Sequence, residues 1–237
     1  MLNGTSFSLY RGEILGLVGE SGCGKSLLAR TLVRLESPAR IVSGTIKLDG
    51  REISTPQRQK EMRKYRGRKI SLVLQNPKSA MDSVFTVGRH FKDVFSIRHG
   101  LTNYTDKTNK KSIQYEINKL LQAVGISSPE ERSRQYPHQW SRGMLQRAQL
   151  QMTFVTMPDV IILDEVTSAL DPTVTMQTLC VIRQLTENKD SAIIFITHDL
   201  SVALEICDRI AVMEKGRIVE SGPAREIILT PSNSYTK

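Results

Sequence analysis

The stretch ILGLVGESGCGKSLLARTL (Ile14–Leu32) decides how the rest of the chain is read. Its opening residues are apolar in the manner of a buried strand, and its closing residues repeat leucine and alanine at helical spacing. Between them Gly19-Glu20-Ser21-Gly22-Cys23-Gly24-Lys25-Ser26 fits G-x-x-x-x-G-K-[ST]. Glycines allow a tight backbone turn, so that successive N–H groups point inward at an anion. A helix starting near Lys25 adds its positive dipole end. Lys25 reaches the outer phosphates as a charge, and the Ser26 hydroxyl can ligate Mg²⁺. A plain glycine-rich turn needs no strand before it and no helix after it. A dinucleotide fold calls for G-x-G-x-x-G, which this loop lacks. Cys23 reads as a small loop residue.

A phosphate loop needs acids elsewhere, and VIILDE (Val160–Glu165) supplies them. Four apolar residues form a buried strand that delivers Asp164 and Glu165 to the carboxyl edge of the sheet, where open α/β folds bind ligands. Asp164 is placed to hold Mg²⁺ through its water shell and Glu165 to polarise an attacking water, whereas without the loop upstream the pair reads as a solvated strand terminus. A second strand, AIIFITH (Ala192–His198), ends on a histidine. A lone histidine is usually structural, but at a parallel strand end it is a candidate sensor of a terminal phosphate.

The remaining segments organise around these strands. Phe7 and Leu9 predict a short strand before Arg11-Gly12, and TIKL between Ser43-Gly44 and Asp49-Gly50 predicts an antiparallel pair. KISLVLQ (Lys69–Gln75) reads as a further buried strand. Residues 76–154 change character to polar loops and helices, for example SIQYEINKLLQAVGI (Ser112–Ile126). From Val160 onward strands and helices alternate: TVTMQTLCVIRQLTE, SAIIFITH, LSVALEICD, then RIAVMEKGRIVESG. That alternation predicts a parallel sheet covered on both faces.

Composition narrows the classes. The chain has 237 residues, 39% hydrophobic and 24% charged, which suits one sizeable core. The apolar runs fall far short of the roughly 18–20 residues needed to cross a bilayer, and the start MLNGTSFSLYRGE shows no secretory signal. Cys23, Cys180 and Cys207 fit neither a disulfide framework nor a zinc site, which points to a reducing cytoplasm. The net charge of +9 is concentrated in RQKEMRKYRGRK (Arg58–Lys69). That stretch reads as a solvated helix face, because the interleaved aromatics of a nucleic-acid patch are nearly absent.

With these residues in place the chain resembles the ATP-binding subunits of ABC transporters over nearly its whole length. Gly19–Ser26 matches the Walker A loop, Gln75 in VLQNP the Q-loop, and Ser141-Arg142-Gly143-Met144-Leu145-Gln146-Arg147 the signature segment. Asp164 and Glu165 match the Walker B acid and the catalytic glutamate, Ser168-Ala169-Leu170-Asp171 the D-loop, and His198 the switch histidine. The resemblance implies an α/β P-loop NTPase (RecA-like) core with an N-terminal antiparallel β subdomain and an inserted α-helical subdomain. Residues 1–237 are expected to form one ATPase domain: 1–75 and 155–237 the nucleotide-binding core, 76–154 the helical part with the signature. It further implies ATP held by Gly19–Ser26, Gln75, Asp164, Ser141, Gly143 and Asp171, and Mg²⁺ held by Ser26, Gln75 and Asp164. Catalysis would fall to Glu165 and His198.

QNPKSAMDSVFTVG (Gln75–Gly88), YPHQ and GPAREIILTPSNSYTK resemble the importers of dipeptides, oligopeptides and nickel, and SLLARTLVRLESPA (Ser26–Ala39) is similar to the second ATPase of nickel importers. Such a subunit works on the cytoplasmic face of the inner membrane with a second ATPase subunit, in a homo- or heterodimer. Two membrane permeases and, indirectly, an extracytoplasmic binding protein complete the assembly, and no nucleic acid is expected. The sequence also departs from the family. Arg142 stands at a glycine position of the signature, where bulk impedes closure over the partner's γ-phosphate or, alternatively, adds a cation to it. Val166 and Ser83 replace prolines. The adenine-stacking aromatic is expected upstream of residue 1, with Phe7 and Tyr10 too close to the loop to replace it, so a truncated or mis-assigned start is expected. Two rival functions follow: a degenerate ATP-binding partner in a heterodimeric pair, motivated by Arg142, and a soluble ABC ATPase acting on nucleic acid, motivated by the charge.

Overall fold

The structure, a computed structural model, describes residues 1–36, 40–54, 61–99, 107–168, 170–187 and 191–237. The D-loop expectation at Ala169, part of the basic stretch (58–60) and the end of the Ser26–Ala39 segment (37–39) lie outside the described residues. Along the chain run β1 (Ile14–Val18), α1 (Lys25–Leu32), β2 (Lys47–Leu48), β3 (Arg51–Glu52), α2 (Met62–Tyr65), β4 (Ile70–Val73), α3 (Pro77–Ala80), α4 (Val87–His99), α5 (Lys107–Ala123) and α6 (Pro129–Ser133). They are followed by α7 (Arg142–Val155), β5 (Val160–Asp164), α8 (Pro172–Thr186), β6 (Ala192–Ile196), α9 (Leu200–Ile206), β7 (Arg209–Glu214), β8 (Arg217–Pro223) and α10 (Ala224–Leu229). Two compact units result: Met1–Leu72 with Asp159–Val166 and Asp190–Lys237, and Val73–Pro158 with Thr167–Lys189. The contact boundaries fall at 72/73 and 158/159, and α8 belongs to the helical unit.

The first unit is built on a six-stranded sheet in the order β4-β5-β6-β1-β7-β8. β1 pairs in parallel with both β6 and β7, and β5 pairs in parallel with β6. β6 is buried at every position, as expected of a parallel strand covered on both faces. The core joins Leu15, Leu17, Ile162, Ile194, Ile196, Ala211 and Met213 of the sheet to Leu28, Ala29 and Val33 beside them. α1 presents Lys25, Leu28 and Ala29 on its buried face, the i, i+3, i+4 spacing of one helix side. Each fully buried leucine or isoleucine contributes about 1.5–3 kcal/mol.

Three expectations change. The sheet is mixed, not wholly parallel, because β8 returns antiparallel to β7. The cause is the two-residue turn Lys215-Gly216, with φ of 44° and 79°, the geometry that folds strands into a hairpin. Phe7 and Leu9 form no strand and pack as partly buried residues against the core. The Ser8 carbonyl between them accepts the Arg209 guanidinium at 3.0 Å, and just upstream the Asn3 N–H and the Thr5 hydroxyl both donate to the Gly216 carbonyl, at 2.8 and 2.7 Å. The antiparallel β subdomain is reduced, among the described residues, to the hairpin β2–β3 across Asp49-Gly50.

The second unit is helical. α7 is its most buried element, with Leu145, Ala148 and Leu150 at 0% exposure. Phe91 of α4 and Ile117 and Leu121 of α5 are buried as completely. Among the described residues no helix is long and apolar enough to cross a membrane.

Gly16 lets Cys207 and Ile210 approach β1 closely, since a β-carbon there would lie 2.8 Å from Cys207 Sγ and 3.2 Å from Ile210 Cγ1. Gly16→Ala is therefore expected to destabilise the fold by about 1–3 kcal/mol in urea denaturation. Adding Cys207→Ala should recover part of that loss, a non-additivity that unrelated sites would not show.

Candidate functional site

The loop between β1 and α1 adopts a backbone that side chains disfavour. Gly19, Gly22 and Gly24 have φ of 151°, 82° and 115°, and a β-carbon on Gly19 would lie 2.2 Å from the Met213 carbonyl oxygen. The N–H groups of Ser21, Gly22, Gly24, Lys25 and Ser26 meet no protein acceptor among the described residues. Such a row of free donors ahead of a helix N-terminus is a cradle for an anion. Lys25 is 4% exposed, and its ammonium donates to the carbonyls of Gly19 and Glu20 at 2.7 and 2.8 Å.

The loop meets the acids through one hydrogen bond, Ser26 Oγ to Asp164 Oδ1 at 2.9 Å. Asp164 ends β5 and is 3% exposed. Burial pushes its carboxyl above the ordinary range, the Ser26 hydroxyl pulls it back, and the neighbouring Glu165 charge raises it further. A hydroxyl and a desolvated carboxylate side by side are hard oxygen donors suited to a small divalent cation. Glu165 follows with φ of 48°, a left-handed conformation that is uncommon for a residue with a side chain and points to function. Its N–H is fixed on the Ile196 carbonyl at 3.0 Å, and its Oε1 lies 3.6 Å from His198 Nδ1. The His198 side chain is 58% exposed, that of Glu165 18%, so the carboxylate is shielded while the imidazole faces outward.

In the helical unit Gln75 Nε2 donates to Ser168 Oγ at 3.1 Å, and Arg142 Nη2 reaches the Gln75 carbonyl at 3.4 Å. Ser141 caps α7 by accepting the Met144 N–H at 3.2 Å. Asp171 caps α8 by accepting the Val174 N–H at 3.0 Å. Gly143 is held where α7 meets α8, since a β-carbon there would come within 2.5 Å of Val174 Cγ1. The structure thus brings together Ser26 with Asp164, Glu165 with His198, and Gln75 with Ser168 and Arg142. It gives Ser141 and Asp171 helix-capping roles that motif spacing did not reveal. Two contacts of the loop also have no signal in the sequence. The Gly216 N–H donates to the Cys23 carbonyl at 2.8 Å, and the Glu20 N–H donates to the Tyr235 hydroxyl at 3.2 Å across a separation of 215 positions.

Comparison with known proteins bears on these groups. The family model described as ABC transporter matches residues 2–168. The dipeptide transport ATP-binding protein DppD of Bacillus subtilis is 39% identical over 238 residues, covering 100% of this chain and 69% of that protein. A probable peptide ABC transporter ATP-binding protein, y4tR of Sinorhizobium fredii, is 38% identical with the same coverage. Among solved structures, CbiO1 of Clostridium perfringens, part of the ABC transporter complex cbiONQ, is similar with a TM-score of 0.75 and 26% identity. The match covers 97% of this chain and 84% of that one. The dimeric ATP-binding cassette MJ0796 bound to ADP and Pi shares the fold, with a TM-score of 0.77 and 20% identity over 94% of this chain and 90% of that one.

The buried Asp164 carboxylate links stability to pH. Its folded pKa lies above the ordinary 3.8 through burial, so the folded chain takes up this proton more readily than the unfolded chain. The unfavourable contribution is therefore absent well below that value and grows as pH rises through the raised folded pKa. Asp164→Asn is expected to melt above the parent at about pH 8, with the gap narrowing towards about pH 4 in calorimetry.

Proposed function

The chain belongs to the ABC transporter family, and we propose that it is the ATP-binding subunit of a peptide importer, with residues 1–237 acting as one ATPase domain. The observation that carries this reading is the Ser26–Asp164 contact, which joins the anion cradle to the acidic end of β5 and gathers both halves of a nucleotide site within the first unit. The chain hydrolyses ATP. In the proposed geometry the free N–H groups of Ser21, Gly22, Gly24, Lys25 and Ser26 hold the phosphates, and Lys25 turns from the loop carbonyls onto the outer ones. Ser26 and Asp164 fit Mg²⁺, which supplies charge neutralisation between the phosphates when bound. Glu165 orients and activates the attacking water, and His198, lying beside Glu165 Oε1, meets the terminal phosphate. Gln75, Ser141, Gly143 and Asp171 all belong to the helical unit, and their nucleotide roles, with Gln75 toward Mg²⁺, rest on the family resemblance.

Closure over ATP requires the signature of a second ATPase subunit, in a homo- or heterodimer. Two transmembrane permeases would receive the motion at the cytoplasmic face of the inner membrane, with a binding protein delivering cargo from outside. The names of both relatives speak for peptides over nickel as that cargo. Glu165→Gln tests the assignment: nucleotide binding should persist while turnover in the assembled transporter drops about 100-fold or more. Undiminished hydrolysis would remove Glu165 from the catalytic role.

A second reading rests on Arg142, the first residue of α7 after its Ser141 cap. Its side chain stands where the family brings a glycine against the partner's nucleotide, and the chain would then serve as the weaker half of a heterodimeric pair. Arg142→Gly is expected to raise the ATPase rate of the assembled dimer, and an unchanged rate would dismiss this reading.

A further inference from the structure

The phosphate loop is held by a residue from the far end of the sequence. The Glu20 N–H donates to the Tyr235 hydroxyl oxygen at 3.2 Å. The opposite side of that same peptide unit is the Gly19 carbonyl, which accepts the Lys25 ammonium at 2.7 Å. A trans peptide is planar, with N–H and C=O pointing in opposite directions, so fixing one end fixes the other. We propose that Tyr235 is a positioning residue for the phosphate loop: by taking the Glu20 N–H it sets the plane of the Gly19–Glu20 peptide, and with it the place from which Lys25 meets a nucleotide phosphate. The inference rests on the ATP-binding reading of that loop.

Tyr235 is itself held in place. Glu220 on β8 accepts the Ser232 N–H at 2.7 Å and the Ser232 hydroxyl at 2.6 Å on Oε1, and the Asn233 N–H at 3.3 Å on Oε2. Asn233 Nδ2 donates to the Val219 carbonyl at 3.4 Å, and its Oδ1 accepts the Tyr235 N–H at 2.9 Å. The Ser232 hydroxyl, with the backbone N–H groups of Ser232 and Asn233, holds the Glu220 carboxyl down to about 2, so at neutral pH this anchor is always charged. A tyrosine that merely filled space would need no such chain of ties from β8 to its own backbone. The loop is gripped a second time further on, where the Gly216 N–H meets the Cys23 carbonyl. At the beginning of the loop the Glu20 carbonyl accepts the Cys23 N–H at 3.3 Å, and the Tyr235 contact holds the peptide unit before it, nearest the Gly19 carbonyl that Lys25 meets.

The test uses the full chain, labelled with ¹⁵N, and a fluorescent ATP analogue. Tyr235→Phe keeps the ring and removes the acceptor. The expected result is a Kd for the analogue raised about three- to tenfold, the loss of one exposed hydrogen bond, together with an upfield move of the Glu20 amide proton. In the assembled transporter KM for ATP should rise by the same factor while kcat stays within about twofold, the pattern of lost binding without lost chemistry. Asn233→Ala, which unties the Tyr235 backbone but leaves its hydroxyl, should move both readouts in the same direction by less. In a Glu20→Pro background, which has no N–H to hold, Tyr235→Phe should change nothing. An unmoved Glu20 amide with an unchanged Kd, or an equal loss in the Glu20→Pro background, would overturn the inference. Lys25→Ala separates the two layers: retained analogue binding in that variant defeats the ATP site itself, whereas its loss beside a silent Tyr235→Phe defeats only the role of Tyr235.

Discussion

The parallel register of three central strands is the constraint from which the site follows. Leu17 of β1 and Asp164 of β5 both stand opposite Ile196 of β6, so the strands leave the sheet level with one another. Two residues past that row come Gly19, which opens the loop, and His198, and between row and histidine on β5 comes Glu165. Successive strand residues face opposite sides, so a slip of one position would turn the Asp164 side chain to the other face and separate it from Ser26. The register is in turn fixed by burial of every residue of β6 and of the leucines of β1 beside it. The chemistry at the strand ends is thereby set by apolar packing several residues away.

What the sequence disclosed was whatever is local. The loop Gly19–Ser26, the acids Asp164 and Glu165, and His198 sit in short patterns whose residue types state their chemistry, and the helices and buried strands around them carry plain periodicity. Phe7 and Leu9 misled because alternation indicates two faces without indicating a partner strand; the Ser8 carbonyl between them is taken instead by a side chain, Arg209, more than two hundred positions on. The antiparallel β8 was hidden because a parallel reading of strand–helix alternation has no term for the hairpin that Lys215-Gly216 dictates. Ser141 and Asp171 were legible as motif residues, but their capping of α7 and α8 depends on where each helix begins, which periodicity fixes only loosely. Tyr235 was beyond reach altogether, since nothing in its own neighbourhood refers to Glu20.

Those two caps change how the signature and the D-loop residues are understood. Ser141 and Asp171 each satisfy an N–H in the first turn of a helix, and Gly143 admits α8 against α7. A residue that builds a helix start has its place fixed by the backbone it caps. Arg142 lies between them at a place with no such demand: its backbone enters α7, and its side chain is spare enough to reach the Gln75 carbonyl. That freedom explains in physical terms how a long side chain is accommodated at this position.

Gly216 is a junction. Its N–H holds the loop at Cys23 and its carbonyl gathers Asn3 and Thr5, while a β-carbon on it would lie 2.2 Å from the Met1 carbonyl oxygen. A hairpin turn is ordinarily the part of a sheet most tolerant of insertion. This one is pinned on both sides, so lengthening it would move the opening segment and the nucleotide loop together. Variation among relatives should therefore collect elsewhere along the edge, leaving the length of this turn constant while the faces of β8 drift.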